Sequence, residues 1–196
     1  MPPVATYGAQ NLWNYRPLNP SRSIANPDNF CALTTFTDSP DESWFFAVPA
    51  AIEARGAPTI PLTLETFSAA SLGESEKIIT CLGQIRGHIE ALSALLPRMY
   101  EKCNPTIFYC NIRPFLVGTT SAELSEGVFY AEENGKGSHR IHQGPTAAQS
   151  SLFQFLDISF GVRHRPTGTL QERNSNENDV PGREDEFLKV RSQIAG

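Results

Sequence analysis

An arginine set among aromatic rings and followed by a turn of small residues is the feature of this 196-residue chain that could do chemistry. The pieces are Phe45 and Phe46, then Phe108, Tyr109 and Arg113, then Gly144-Pro145-Thr146-Ala147. A guanidinium pairs with a carboxylate through parallel N–H donors, and rings enclose an apolar body, so these residues can hold a flat ring bearing a carboxylate. A charge-assisted contact of that kind contributes about 1.5 to 3 kcal/mol. Spacing alone leaves a plainer reading open, in which Arg113 is an ordinary surface arginine and the phenylalanines are core. On a regular helix the step from Phe108 to Arg113 is roughly one and a half turns, so the two are predicted to flank each other and not to share a face.

Helices must position these residues. Residues 1–40 are rich in proline, with little periodicity, and are expected to form an irregular lead-in whose Tyr7, Trp13 and Tyr15 pack on the domain. Asp41 or Ser43 can cap a short helix from Trp44 to Arg55, kinked at Pro49 and stopped by Gly56. From Glu74 to Lys102 the residues Ile78, Leu82, Ile85, Ile89, Leu92, Leu96 and Met99 recur at spacings of four and three, which predicts a long helix with one buried stripe. Gly83 and Gly87, beside that stripe, each cost about 1 kcal/mol relative to alanine, which suggests the close approach of a helix or a flat ligand. Asn104-Pro105 reads as a stop and restart, with a new helix running through Phe108 and Arg113 until Pro114. Residues 118–146 read as a long loop broken only at Val128-Phe129-Tyr130, of a length typical of lids and binding loops. Thr146 is expected to cap a last helix ended by Gly161. The domain is assigned to 41–164, and the polar segment 165–196 to a disordered tail. No sheet, repeat or phosphate-cradling glycine loop is foreseen, and the fold class is all-α.

Composition narrows the partners. The net charge of -5 and the scattered lysines and arginines argue against nucleic acid. No basic, apolar leader and no uninterrupted apolar run of membrane length occur, so a cytoplasmic protein is expected. Cys31, Cys81, Cys103 and Cys110 have no paired spacing and read as reduced, buried thiols. His139 and His142 have HxxH spacing without a third ligand, and with His88 and His164 they read as surface histidines, so no metal site is assigned.

The three segments DESWFFAVPAAIEARGAP, CNPTIFYCNIRPFLVG and HQGPTAAQSSLFQFLDISFG resemble, in combination, the catalytic domain of the indoleamine 2,3-dioxygenase family. The resemblance covers residues 3 to about 168. It implies a helical bundle like that family's large domain, truncated at both ends, and a haem-dependent opening of the indole ring of L-tryptophan to N-formylkynurenine with dioxygen, in the kynurenine pathway. It also implies that Phe45 and Phe46 line the distal side of the haem, that Phe108 packs on the indole, and that Arg113 holds the substrate carboxylate. Tyr7 aligns with a tyrosine of the distal pocket, and Thr146 and Ala147 stand in the family's serine-containing turn. Pro49, Pro145, Thr146 and Ala148 depart from the residues usual there. Family spacing places the proximal histidine beyond the 45 residues that follow Ser151, with His164 the nearest substitute in sequence. Two functions are therefore weighed: a dioxygenase that needs a further segment or partner chain, and a non-catalytic paralogue that binds an aromatic acid or partner helices. Exposed apolar surface is expected to promote self-association.

Overall fold

A computed structural model describes residues 5–119, 124–131 and 135–162. The chain divides into two compact units, Met1–Thr146 and Ala147–Gly196. The expected tail 165–196 and His164 lie outside the described residues.

The lead-in has more order than its prolines suggest. A π-type turn at Gly8–Leu12 follows Tyr7, and β1 (Tyr15–Pro17) pairs antiparallel with β2 (Phe30–Ala32) in the register Arg16 to Cys31. Asparagines replace periodic hydrophobic residues as its organisers. Asn14 Oδ1 accepts from the Thr34 N–H at 2.8 Å, and its amide donates to the Thr34 carbonyl at 2.8 Å. Buried Asn29 accepts from the Asn19 N–H and donates to the Asn19 and Arg22 carbonyls.

The first long helix, α1 (Pro40–Gly56), runs unbroken for 17 residues through Pro49, longer than the expected helix from Trp44 to Arg55. Its cap is Ser39, whose hydroxyl accepts from the Asp41 N–H, with Pro40 in the first position. Trp44, Phe46, Ala47, Val48, Ala50, Ala51 and Ile52 are all buried, so α1 is covered on most sides and shows no amphipathic period. The carboxylate of Glu42 is fully buried in its first turn. It accepts from the Phe36 N–H at 2.9 Å, the Thr37 N–H at 2.8 Å and the Thr37 hydroxyl at 2.6 Å. These bonds satisfy a buried charge and pin the strap that leads to the helix.

A second helix, α2 (Thr59–Leu72), has no counterpart in the sequence reading. Threonines with low helix propensity hide it, yet Thr59, Thr63 and Thr66 are buried and donate to the carbonyls of Gly56, Thr59 and Leu62. Gly73, at φ 73°, closes α2 and turns the chain into α3 (Ser75–Leu95). A 3₁₀ turn at Leu96–Arg98, forced by Pro97, separates α3 from α4 (Met99–Lys102).

The buried stripe of α3 is rotated from the expected one. Cys81, Ile85 and Leu92 are buried and His88 is partly so, whereas Leu82 and Leu96 are 45% and 59% exposed. Helix α3 packs against both α1 and α2. Nothing lies within 4 Å of where a Cβ on Gly83 or Gly87 would sit, so no helix approaches closely there among the described residues.

Trp44 ties α1 to α4. Its indole N–H donates to the Arg98 carbonyl at 2.8 Å, and Lys102 Nζ lies 4.3 Å from its ring centroid. Asp28 pairs with both cations, at 2.5 Å to Lys102 and 2.6 Å to Arg98.

After Asn104, which caps α5 (Pro105–Ile107), the chain winds through a π-type turn at Phe108–Ile112 and a 3₁₀ turn at Arg113–Leu116. The expected open loop contains a hairpin instead, β3 (Val128–Ala131) with β4 (Gly137–Arg140). In the second unit α6 (Ser151–Phe160) ends at Gly161 as expected, but its cap is Ser150, which accepts from the Phe153 N–H, and not Thr146. The fold class stands as all-α, with two short ribbons added. All four cysteines are free thiols, and Cys110 is exposed, which corrects its expected burial. Among the described residues no helix is long and apolar enough to cross a membrane.

Two outcomes follow for stability. Glu42→Ala strips three donors of their acceptor and is expected to lower unfolding free energy by about 3 kcal/mol in denaturant titration, with Glu42→Gln intermediate. Lys102 and then Arg98, by hydrogen bonding, hold the Asp28 carboxyl below its ordinary value. That contribution is present above the unfolded carboxylate value and is lost as pH falls through the folded one. Asp28 is well exposed, so Asp28→Asn should cost no more than about 1 kcal/mol at pH 7, and the difference from the parent should vanish in acid.

Candidate functional site

The first turns of α1 bring three of the aromatic residues together. The Phe45 ring lies 4.7 Å from Phe108 and 5.8 Å from Phe46, so the three rings form one strip. Asp41 Oδ1 accepts from the Asn104 N–H at 2.7 Å, which anchors the restart that carries Phe108 beside the same helix turn.

Arg113 stands differently from the regular-helix expectation. Its N–H donates to the Phe108 carbonyl, closing an i to i+5 turn. In π winding residues five apart are about one turn apart, so the backbone brings Arg113 closer to the Phe108 side than a regular helix would. Apolar periodicity carries no signal for this extra residue per turn. The guanidinium lies 5.1 Å from the Tyr109 ring centroid, its side chain is exposed, and among the described residues no carboxylate pairs with it. Its donors are therefore available to an anion.

Two residues outside the sequence reading complete the frame. Phe36, on the strap that Glu42 pins, stacks at 5.2 Å and 4° on Phe115, two positions after Arg113. The signal was present in Ser39-Pro40-Asp41-Glu42, which has capping-box spacing. Here the glutamate reaches past the cap to the backbone of residues 36 and 37.

The small-residue turn also meets the arginine segment. A Cβ on Gly144 would collide with the Leu116 carbonyl, and one on Gly118 with the Gly144 nitrogen, so only glycine allows this approach. Thr146 ends the first compact unit and Ala147 opens the second. Tyr7 is buried, with its hydroxyl donating to Glu53 Oε1 at 3.0 Å. Burial first, and then the Glu53 charge, push its ionisation far above the ordinary tyrosine value, so it remains a neutral donor.

Haem would require an axial histidine beside the aromatic strip. His88 lies on the inner face of α3, His139 rests edge-on against Phe129 at 5.3 Å, and His142 against Tyr130 at 5.6 Å. The described residues thus offer a wall for a flat ring but no axial ligand, and among them no three His, Cys, Asp or Glu side chains cluster as a metal site.

Residues 1–193 match the family described as indoleamine 2,3-dioxygenase. The chain is 36% identical to the indoleamine 2,3-dioxygenase acdA of Aspergillus candidus, over 98% of this chain and 51% of that protein. It is 38% identical to the 6-hydroxytryptophan 2,3-dioxygenase fscD of Fusarium equiseti, over 96% of this chain and 46% of that protein. To the indoleamine 2,3-dioxygenase of Saccharomyces cerevisiae it is 37% identical, over 84% of this chain and 38% of that protein. The chain spans about half the length, or less, of these curated relatives. A match of this extent places the chain in the indoleamine 2,3-dioxygenase family.

Proposed function

We propose that this chain supplies the aromatic-acid-recognising side of a haem-dependent dioxygenase that opens the indole ring of L-tryptophan or a related indole with dioxygen. In this reading Phe45 and Phe108 pack on the ring and Arg113 pairs with the carboxylate. The observation that supports it best is an exposed Arg113 guanidinium, held over the Tyr109 ring with no carboxylate partner among the described residues, in the turn that the i to i+5 closure ties to Phe108. One relative is named for 6-hydroxytryptophan, so ring-hydroxylated indoles belong to the substrate class considered. Haem enters through family membership. The described residues supply no axial ligand for it.

A second reading is a binding module that holds an aromatic acid without chemistry, resting on the same Phe45, Phe108 and Arg113 side chains. Visible titration with haem separates the two. A saturable shift of the Soret band supports the enzyme, and none leaves the binding module for this chain on its own.

Both readings share one outcome. In calorimetric titration Arg113→Ala should weaken L-tryptophan about tenfold or more and leave indole, which has no carboxylate, unchanged. Equal loss for both ligands, or none, would remove Arg113 from acid recognition. Phe108→Ala should weaken both.

A further inference from the structure

An aliphatic seam runs along the solvent side of α3, on a different element from the aromatic strip. Ile79, Leu82 and Ile89, with Leu96 just past the helix end, are 71%, 45%, 37% and 59% exposed. Together with Arg86 and Ser93 they recur at alternating steps of three and four. That is the heptad spacing by which one helix packs along another over several turns. Large aliphatic side chains aligned in water mark a contact surface. Open space where a Cβ on Gly83 or Gly87 would sit leaves the flank of the seam accessible to a second helix.

The charges on the seam indicate what covers it. Arg86 and Glu90 are the only lysine, arginine, aspartate or glutamate residues between Ile79 and Leu96. Both side chains are well exposed and their contact is 3.6 Å. Arginine preceding glutamate is also the weaker order for a pair on one helix, so the two charges hold each other loosely. A two-fold axis crossing α3 between Gly87 and His88 would lay a second copy of the helix antiparallel on the first. Ile79 then faces Leu96 of the other copy, Leu82 faces Ser93, and Arg86 faces Ile89 with Glu90 in reach of its guanidinium. Each contact occurs twice, as in any isologous interface. A parallel pair in register would instead set Arg86 on Arg86 and Glu90 on Glu90, and like charges in apposition are unfavourable. The seam is therefore complementary to itself in one orientation and not in the other.

We propose that α3 is an interaction surface for a second copy of this chain, paired antiparallel along the seam with Arg86 of each copy bound to Glu90 of the other. The interface does not depend on the dioxygenase reading. Sedimentation velocity of the full chain should show a concentration-dependent dimer. Arg86→Glu and Glu90→Arg, each alone, should weaken that dimer about tenfold or more, since like charges then face one another. Mixed one to one, the two variants should associate as tightly as the parent to within about threefold, because each supplies the charge that the other lacks. Neither variant regains its own internal pair in the mixture, so the recovery reports contacts between chains. Ile89→Lys sets a cation against Arg86 and should abolish association with an unchanged circular-dichroism spectrum, since the replaced side chain is exposed. The proposal is overturned by a monomer at every concentration, which leaves the seam to a different polypeptide, by a dimer indifferent to the three substitutions, or by a mixture no tighter than its components.

Discussion

The arrangement depends on a carboxylate buried at the start of a helix. Glu42 has no access to water, and a lone carboxylate in that position would be very costly. Two backbone N–H groups and one hydroxyl offset the cost, and all three come from residues 36 and 37. The strap therefore cannot leave without exposing an unpaired charge to the protein interior. Phe36 rides on that strap and stacks on Phe115, so a constraint at the start of α1 reaches the turn that carries Arg113. The adjacent Asp41 holds the Asn104 N–H and so fixes where the Phe108 segment begins.

From this anchor the site is built by short, irregular pieces on a regular frame. Helices α1, α2 and α3 supply the packed support, and Trp44 fastens α1 to α4 through one hydrogen bond and two stacked cations. Against that support, the π-type closure at Phe108–Ile112 adds one residue to a turn, which is enough to change the side on which Arg113 emerges. The glycine contact between Gly144 and Leu116 then lays a second segment beside it. A rigid helical support with irregular turns carrying the chemistry is a common division in proteins that bind small molecules.

Much of the support was legible in the sequence. Asn104-Pro105 and Gly161 stop and restart the chain where their cap chemistry requires it, and the long helix from Ser75 follows the spacing of its aliphatic residues. The stripe on that helix was misread because aliphatic spacing marks a face but cannot say which neighbours cover it. Cys81 is buried and His88 partly so, in a helix that packs on α1 and α2, while Leu82 and Leu96 turn out. Helix α2 was invisible because its buried face is largely threonine, whose hydroxyls bond back to backbone carbonyls three or four residues earlier. The aromatic strip was readable as residue types, but the side from which Arg113 approaches it was not, because no local pattern encodes an i to i+5 bond.

The central claim is that the Phe108 turn presents the Arg113 guanidinium to the carboxylate of an aromatic acid. It is tested most directly by following the Arg113 Nε–H resonance while L-tryptophan, and separately tryptamine, is added. The account predicts a saturable shift with L-tryptophan and little change with tryptamine, which has the ring and lacks the acid. Equal responses to the two ligands, or none to either, would contradict it.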